Sequence, residues 1–238
     1  MSAAADAYLY SYIKLQKFLE ANKIDTVIVA YNFHSLKKET EKWVLDDKYL
    51  IGKMSHYFPY IDEQELSLFA THFSFYSSIL KFPYESRQRF IKAFKNNLTY
   101  KDLDLGGFRP TGQHKLYEDI NLKRTVTNSY NSDFGGKYQM LYLDKIVRLC
   151  KDKNVQLIFL NVPVYSLSKQ SHDINKYYSY YKEYYSDIPL FDYSNISLPN
   201  RCFRDMDHLN RDGAAIFSSL LKNDLKNNNK KINNVELK

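Results

Sequence analysis

Two short apolar runs, each entered from an amphipathic helix, restrict this chain more than any other feature. The first is Thr26-Val27-Ile28-Val29-Ala30, largely β-branched. The second, Val155-Gln156-Leu157-Ile158-Phe159-Leu160-Asn161-Val162, is stopped by Pro163. Both read as continuous apolar strands buried on both faces of a parallel sheet. The segments before them support that reading. Over residues 3–21, Leu9, Tyr12, Ile13, Phe18 and Leu19 recur at helical steps, and Asn22-Lys23 closes the helix. Over residues 137–151, Met140, Leu143, Ile146, Val147 and Cys150 do the same before Asn154. A tyrosine-rich helix over 174–185 and a third short strand over 189–193 extend the pattern. Helices alternating with buried strands predict an α/β fold with a short parallel sheet. In such folds ligands bind beyond the carboxyl ends of the strands.

The chain has 238 residues, 44% of them apolar, enough for one globular domain with a full core. We expect that domain over residues 1–226, with a largely helical insertion over about 37–137 and a polar, disordered tail over 227–238. The 22 tyrosines predict amphipathic surfaces and grooves more than an aliphatic core. Much of the +7 net charge lies in residues 222–238, where lysines and asparagines alternate, as in a solvated tail. No nucleic-acid-binding module accompanies that charge, so no nucleic-acid partner is expected. There is no signal peptide and no apolar run long enough to span a bilayer, so the chain as written should be soluble.

Cys150 and Cys202 lack zinc-ligand or CxxC spacing. Cys150 falls on a helix as a core residue, whereas Cys202 is either a reactive thiol or a packing residue. The turn Gly106-Gly107-Phe108-Arg109-Pro110-Thr111-Gly112 lacks the strand–glycine–helix context and the Gly-Lys-Ser/Thr ending of a phosphate loop. No nucleotide and no other cofactor is expected.

The chemistry concentrates in residues 203–217, Phe-Arg-Asp-Met-Asp-His-Leu-Asn-Arg-Asp-Gly-Ala-Ala-Ile-Phe. Asn210 or Asp212 can cap a helix in which Ala214, Phe217, Leu220 and Leu221 share one face. Asp205 lies three residues before His208, close enough to fold back on the ring, fix its tautomer and stabilise the imidazolium. A capping histidine between solvated aspartates is the plainer alternative. Asn32 follows the first strand, where its amide either turns the chain or donates to an oxyanion. Tyr31, His34, Arg109 and Tyr165 lie near predicted strand ends or in the insertion and are candidates for substrate contact. For His34 and Arg109, a solvated surface role is the alternative.

The wording Asp-x-Asp-His-Leu-Asn-x-x-Gly-Ala-x-x-Phe-Ser over residues 205–218 resembles the C-terminal block of SGNH (GDSL-like) hydrolases. The resemblance implies a flavodoxin-like three-layer α/β/α sandwich. Asp205 would be the orienting acid, His208 the general base and Asn32 the oxyanion donor. Of the family's Gly-x-Asn-Asp block, Ala30-Tyr31-Asn32-Phe33 keeps the asparagine alone. The Gly-Asp-Ser nucleophile block has no counterpart, and Ser35 and Ser166 have no support from the family pattern. The resemblance thus implies a chain that begins after the first strand and the nucleophile, as a weakly active or inactive fragment. Its activity class would be hydrolysis or transfer of acyl groups, plausibly acetyl esters of a carbohydrate. The alternative is a noncatalytic relative that holds a glycan with the tyrosine-rich insertion. A strand left at an open edge would also favour self-association.

Overall fold

The sheet is built from β1 (Thr26–Ala30), β2 (Gln156–Asn161) and β3 (Leu190–Asp192), all parallel, in the order β1-β2-β3. Thr26 pairs with Gln156 and Ala30 with Leu160, while Phe159 pairs with Leu190 and Asn161 with Asp192. This computed structural model describes residues 7–46, 57, 60–72, 83–84, 87–88, 91, 134–165 and 174–228. The mixed α/β class follows directly from these elements. Contacts divide the chain into two compact units: Met1–Ile24 with Ser35–Arg109 and Gly135–Asn154, and Asp25–His34 with Pro110–Phe134 and Val155–Lys238.

The second unit holds the sheet. Among the described residues β1 pairs with β2 alone and so forms an edge. The expectation that β1 is buried on both faces is corrected. Thr26, Ile28 and Ala30 are exposed in alternation with half-buried Val27 and Val29, and Ile28 is 41% exposed. An edge strand with one open face shows that alternation whatever its composition. The central strand, β2, keeps Leu157, Ile158 and Phe159 buried.

Tyrosine fills the core of this unit, against the sequence expectation. Tyr31 stacks on Phe159 with ring centroids 4.7 Å apart, and Tyr177 lies 4.9 Å from Tyr31. Tyr185 meets Phe159 edge-on at 5.4 Å. Tyr177 and Tyr185 belong to and directly follow the helix Ile174–Tyr184. The cost of burying phenols is met by backbone acceptors: the Tyr177 hydroxyl donates to the Tyr31 carbonyl at 3.0 Å, and that of Tyr181 to the Ile188 carbonyl at 2.6 Å.

The last helix, Arg211–Asn228, lies beside β3 through Phe217, whose ring meets Tyr193 at 5.2 Å, and through the Tyr193 hydroxyl, which donates to Asp224. Gly213 and Phe217 are buried and Ala214, Leu221 and Leu225 half-buried, so the expected face holds at Ala214, Phe217 and Leu221, while Leu220 is exposed. The helix continues to Asn228, two residues beyond the expected domain end at 226 and through the segment from 222 that was expected to be solvated or frayed. Leu221 and Leu225 at i,i+4 carry the apolar stripe on, and the Tyr193–Asp224 bond anchors it.

In the first unit, α1 (Tyr8–Ala21) packs along α4 (Lys137–Asp152), burying Leu9, Tyr10 and Ile13 of one and Leu143, Ile146 and Cys150 of the other. Burial pushes the Cys150 thiol up to about 11, as befits a core residue. Glu41 caps α4, accepting from the backbone N–H of Tyr138 at 2.7 Å and of Gln139 at 3.3 Å. Gln139 in turn accepts from the Tyr8 backbone N–H at 3.0 Å. Asn154 leaves α4 at φ 51°, a left-handed turn that asparagine tolerates. Of the expected helical insertion, the described part includes α2 (Lys42–Leu45) and α3 (Glu63–His72). The glycine-rich turn over 106–112, with Arg109, lies outside the described residues. No described helix is long and apolar enough to cross a membrane. We label the helices Ile174–Tyr184 and Arg211–Asn228 α5 and α6.

Candidate active site

The loop over residues 203–209 is folded on itself before α6 begins. Phe203 and Leu209 form an isolated antiparallel bridge, and the Arg204 N–H donates to the His208 carbonyl at 2.9 Å. Within that turn three nitrogens converge on the Asp205 carboxylate, two from the backbone and one from a ring. Oδ1 takes the backbone N–H of Asp207 at 2.9 Å and of His208 at 2.8 Å. Nδ1 of His208 then lies 2.8 Å from Oδ1 and 3.0 Å from Oδ2. The carboxylate is fixed by the backbone before it meets the ring, so the ring is fixed as well. With Nδ1 given to Asp205, Nε2 is the nitrogen available to a substrate proton. Among the described residues no hydroxyl is hydrogen-bonded to it.

This turn is anchored from below and behind. Met206 is buried with Cys202 and Phe203, and Tyr165, Leu198 and Leu209 pack on them. The Asn210 side chain caps α6, accepting from Asp212 and Gly213 N–H at 3.1 and 3.0 Å while its amide donates to the Arg201 carbonyl at 2.6 Å. Asn210 is thus the cap, and Asp212 is not. Cys202 is 1% exposed, a packing residue rather than a reactive thiol. Tyr165, four residues beyond β2, donates its backbone N–H to Met206 at 3.0 Å and sets its ring edge-on to Phe203 at 5.5 Å. That pair of contacts ties the Asp205–His208 turn to the carboxyl end of the sheet.

His208 is 72% and Asp205 48% exposed at the side chain, so the pair sits at the surface rather than in a sealed cleft. The hydrogen bond to Asp205 raises the imidazole above its ordinary value, against a smaller opposing cost of desolvation. Partial burial pushes the Asp205 carboxyl up, but the bonds from His208 and from the Asp207 N–H outweigh it and hold the group low. The signs give a pH window for the contribution of this pair to stability. Asp205 contributes above its ordinary range, and the contribution fades as pH falls through its lowered value. His208 contributes below its ordinary range, and the contribution fades as pH rises through its raised value. Replacing Asp205 with Asn should therefore lower the His208 pKa, a shift read directly by NMR titration of the ring protons. An unchanged titration would show that the 2.8 Å contact does not persist in solution.

The remaining predicted site residues separate. Asn32 is half-buried just past β1, where the Tyr31 N–H still donates to the Leu160 carbonyl at 2.9 Å. It therefore leaves the sheet at the same carboxyl end as the segment leading to Tyr165. Tyr31 itself is fully buried among aromatic rings, which removes its side chain as a substrate contact. The alternation along the strand sends that ring into the core face. His34 is half-buried at the start of the 3₁₀ turn His34–Leu36. Arg109 and Ser166 lie outside the described residues, and the Ser35 side chain hydrogen-bonds Tyr8.

A second polar group at this end of the sheet escapes sequence reasoning. Asp192, the last residue of β3, accepts from the Asn161 amide at 3.0 Å, from the Ser194 N–H at 2.9 Å and from the Tyr178 hydroxyl. Burial and the Asp192 bond push Tyr178 up to about 12. The group locks the ends of β2 and β3 together. Its one signal in the sequence is an aspartate closing an otherwise apolar strand. Among the described residues no cluster of three or more histidine, cysteine or acidic side chains could hold a metal.

Residues 108–230 match the model of an uncharacterised protein family, over just more than half of the 238 residues. That match carries no link to the SGNH hydrolases. No curated protein matches the chain.

Proposed function

We propose, for a chain that belongs to this uncharacterised family, an SGNH-like α/β/α domain that acts on acyl esters with His208 as general base. The observation that carries the proposal is the Asp205–His208 pair, with Nδ1 held at 2.8 Å by a carboxylate that the backbone fixes. In this reading Nε2 takes the proton of an attacking hydroxyl while Asp205 stabilises the imidazolium. The hydroxyl oxygen adds to the ester carbonyl, the Asn32 amide donates to the oxyanion, and the proton passes to the leaving alkoxide as the ester bond breaks. Hydrolysis and acyl transfer share these steps, and acetylated carbohydrate is the substrate class that the sequence resemblance implies.

Since no described hydroxyl meets Nε2, the chain alone should turn over a small activated acetyl ester little faster than its His208→Ala variant. An acetylated oligosaccharide should nonetheless shift the His208 ring resonances. Robust hydrolysis lost in His208→Ala would keep the esterase and place a nucleophile within this chain, and Ser35 and Ser166 would be replaced first. Hydrolysis indifferent to His208, together with unmoved ring resonances, would overturn the proposal.

A further inference from the structure

The turn that holds His208 is a short antiparallel ladder, and its pairing brings a second charged side chain to the same face. The Asn210 N–H donates to the Cys202 carbonyl at 2.9 Å, Phe203 bridges Leu209, and the Arg204 N–H donates to the His208 carbonyl at 2.9 Å. Bonded and unbonded pairs alternate in this way along an antiparallel ladder, so Arg204 stands directly opposite His208. Side chains of opposed residues leave the same face. That face is the outer one: Phe203 is buried on the other side, whereas Arg204 and His208 are exposed.

A cation in this position opposes the charge that the turn otherwise favours. The Asp205 bond and the charges of Asp205 and Asp207 favour the imidazolium, while burial and the Arg204 charge disfavour it. Like charges directly opposite each other destabilise a strand pair. A carboxylate on the guanidinium would relieve the conflict. Among the described residues no salt bridge or hydrogen bond engages the Arg204 side chain, and Asp205 is committed to His208 and two backbone N–H groups.

We infer that Arg204 is the specificity-determining residue of the His208 site and selects acyl esters of carbohydrates that also carry a singly charged oxyanion. The inference rests on the proposed ester site. The carboxylate of an acidic sugar and a phosphodiester each present two oxygens that a guanidinium fork holds bidentately. A doubly charged phosphate monoester is disfavoured, because Asp205 and Asp207 lie in the same turn. Once the oxyanion neutralises Arg204, the aspartates act unopposed and the imidazole becomes a stronger base. The matching substrate thus primes its own proton acceptor.

Titration of the His208 ring protons by NMR, on the full chain, tests this with three ligands: an acetylated oligogalacturonate, the methyl ester of the same oligomer, and glycerophosphoglycerol. The acidic glycan should bind about tenfold more tightly than its uncharged methyl ester, as one charge-assisted contact allows, and should raise the His208 pKa. Arg204→Gln, an exposed position whose variant can be checked for folding by circular dichroism, should raise that pKa in the free protein and erase the preference for charge. Arg204→Lys should keep part of it. Glycerophosphoglycerol bound through Arg204 more tightly than the galacturonate would assign the subsite to phosphodiesters, and weaker binding would assign it to sugar carboxylates. Equal binding of the acid and its methyl ester, or a preference that survives Arg204→Gln, would overturn the inference, leaving the ester site standing and Arg204 a solvated residue. So would a charged ligand held by Arg204 without any change at His208. Ring resonances unmoved by every ligand would overturn both the inference and the ester site.

Discussion

Gly213→Ala should destabilise the sheet-containing unit by about 3 kcal/mol, at the upper end for an inserted methyl group, and uncouple the Asp205–His208 turn. Gly213 is the third residue of α6, buried against the 3₁₀ turn Asn200–Cys202. A Cβ there would fall inside the envelope of the Cys202 carbonyl oxygen and within 3.0 Å of the Cys202 carbonyl carbon and Cβ. That carbonyl already accepts the Asn210 N–H at 2.9 Å, and Asn210 caps the helix through the Gly213 N–H. The obstacle is backbone, which cannot swing aside as a side chain tip can. Either the helix start or the turn must move, and both carry the loop that holds His208. Chemical denaturation gives the stability change, and the His208 titration gives the second readout. A fall below 1 kcal/mol with the raised His208 pKa intact would show that the close approach is relaxed in solution.

The same residues show what a sequence can disclose. Asp205, His208, Asn210 and Gly213 act within eight residues of one another, so their spacing alone predicts a carboxylate–imidazole contact and a helix cap. The parallel sheet was legible for a similar reason, since β2 carries its burial in its composition. β1 misleads because Val and Ile suit any strand that packs on one side, and the edge position depends on which strands are neighbours. Tyr31 misleads in the opposite direction. A tyrosine at a strand end suggests a wet hydroxyl, yet the ring enters a stack with Phe159 and Tyr177 that is 128 and 146 residues away in sequence. The Asp192 group draws Asn161 and Tyr178 from separate elements, and no local pattern announces it. Lys222 and Lys226 looked like tail residues because their charge was visible while the Leu221–Leu225 stripe beneath them was short.

Least legible of all is the pair that should answer most strongly to mutation, Glu65 and Lys145, eighty residues apart. Glu65 is 1% exposed at the side chain and Lys145 25%, and Nζ lies 2.5 Å from Oε1. The ammonium also stands 5.3 and 5.1 Å from the ring centres of Tyr12 and Tyr142. Asp62 fixes the start of α3, accepting from the Gln64 and Glu65 N–H groups, both at 3.1 Å. Burial raises the Glu65 carboxyl, Asp62 adds to the rise, and Lys145 opposes it. Lys145→Ala removes the opposing cation and leaves a buried carboxylate beside the like charge of Asp62, a loss of about 3–5 kcal/mol where one partner of a buried pair is deleted. The sign of the pH dependence follows. A carboxyl whose folded pKa is raised favours folding fully at low pH, and that contribution is lost as pH rises through the folded value. The Lys145→Ala variant should therefore be closest to wild type in acid and fall behind progressively toward neutral pH. Adding Glu65→Gln should recover most of the loss, because the amide carries no charge to desolvate. Denaturant unfolding of the three proteins across that pH range separates the outcomes. A Lys145→Ala deficit that does not grow with pH, or that Glu65→Gln fails to relieve, would assign the role of Lys145 to its packing between Tyr12 and Tyr142 instead.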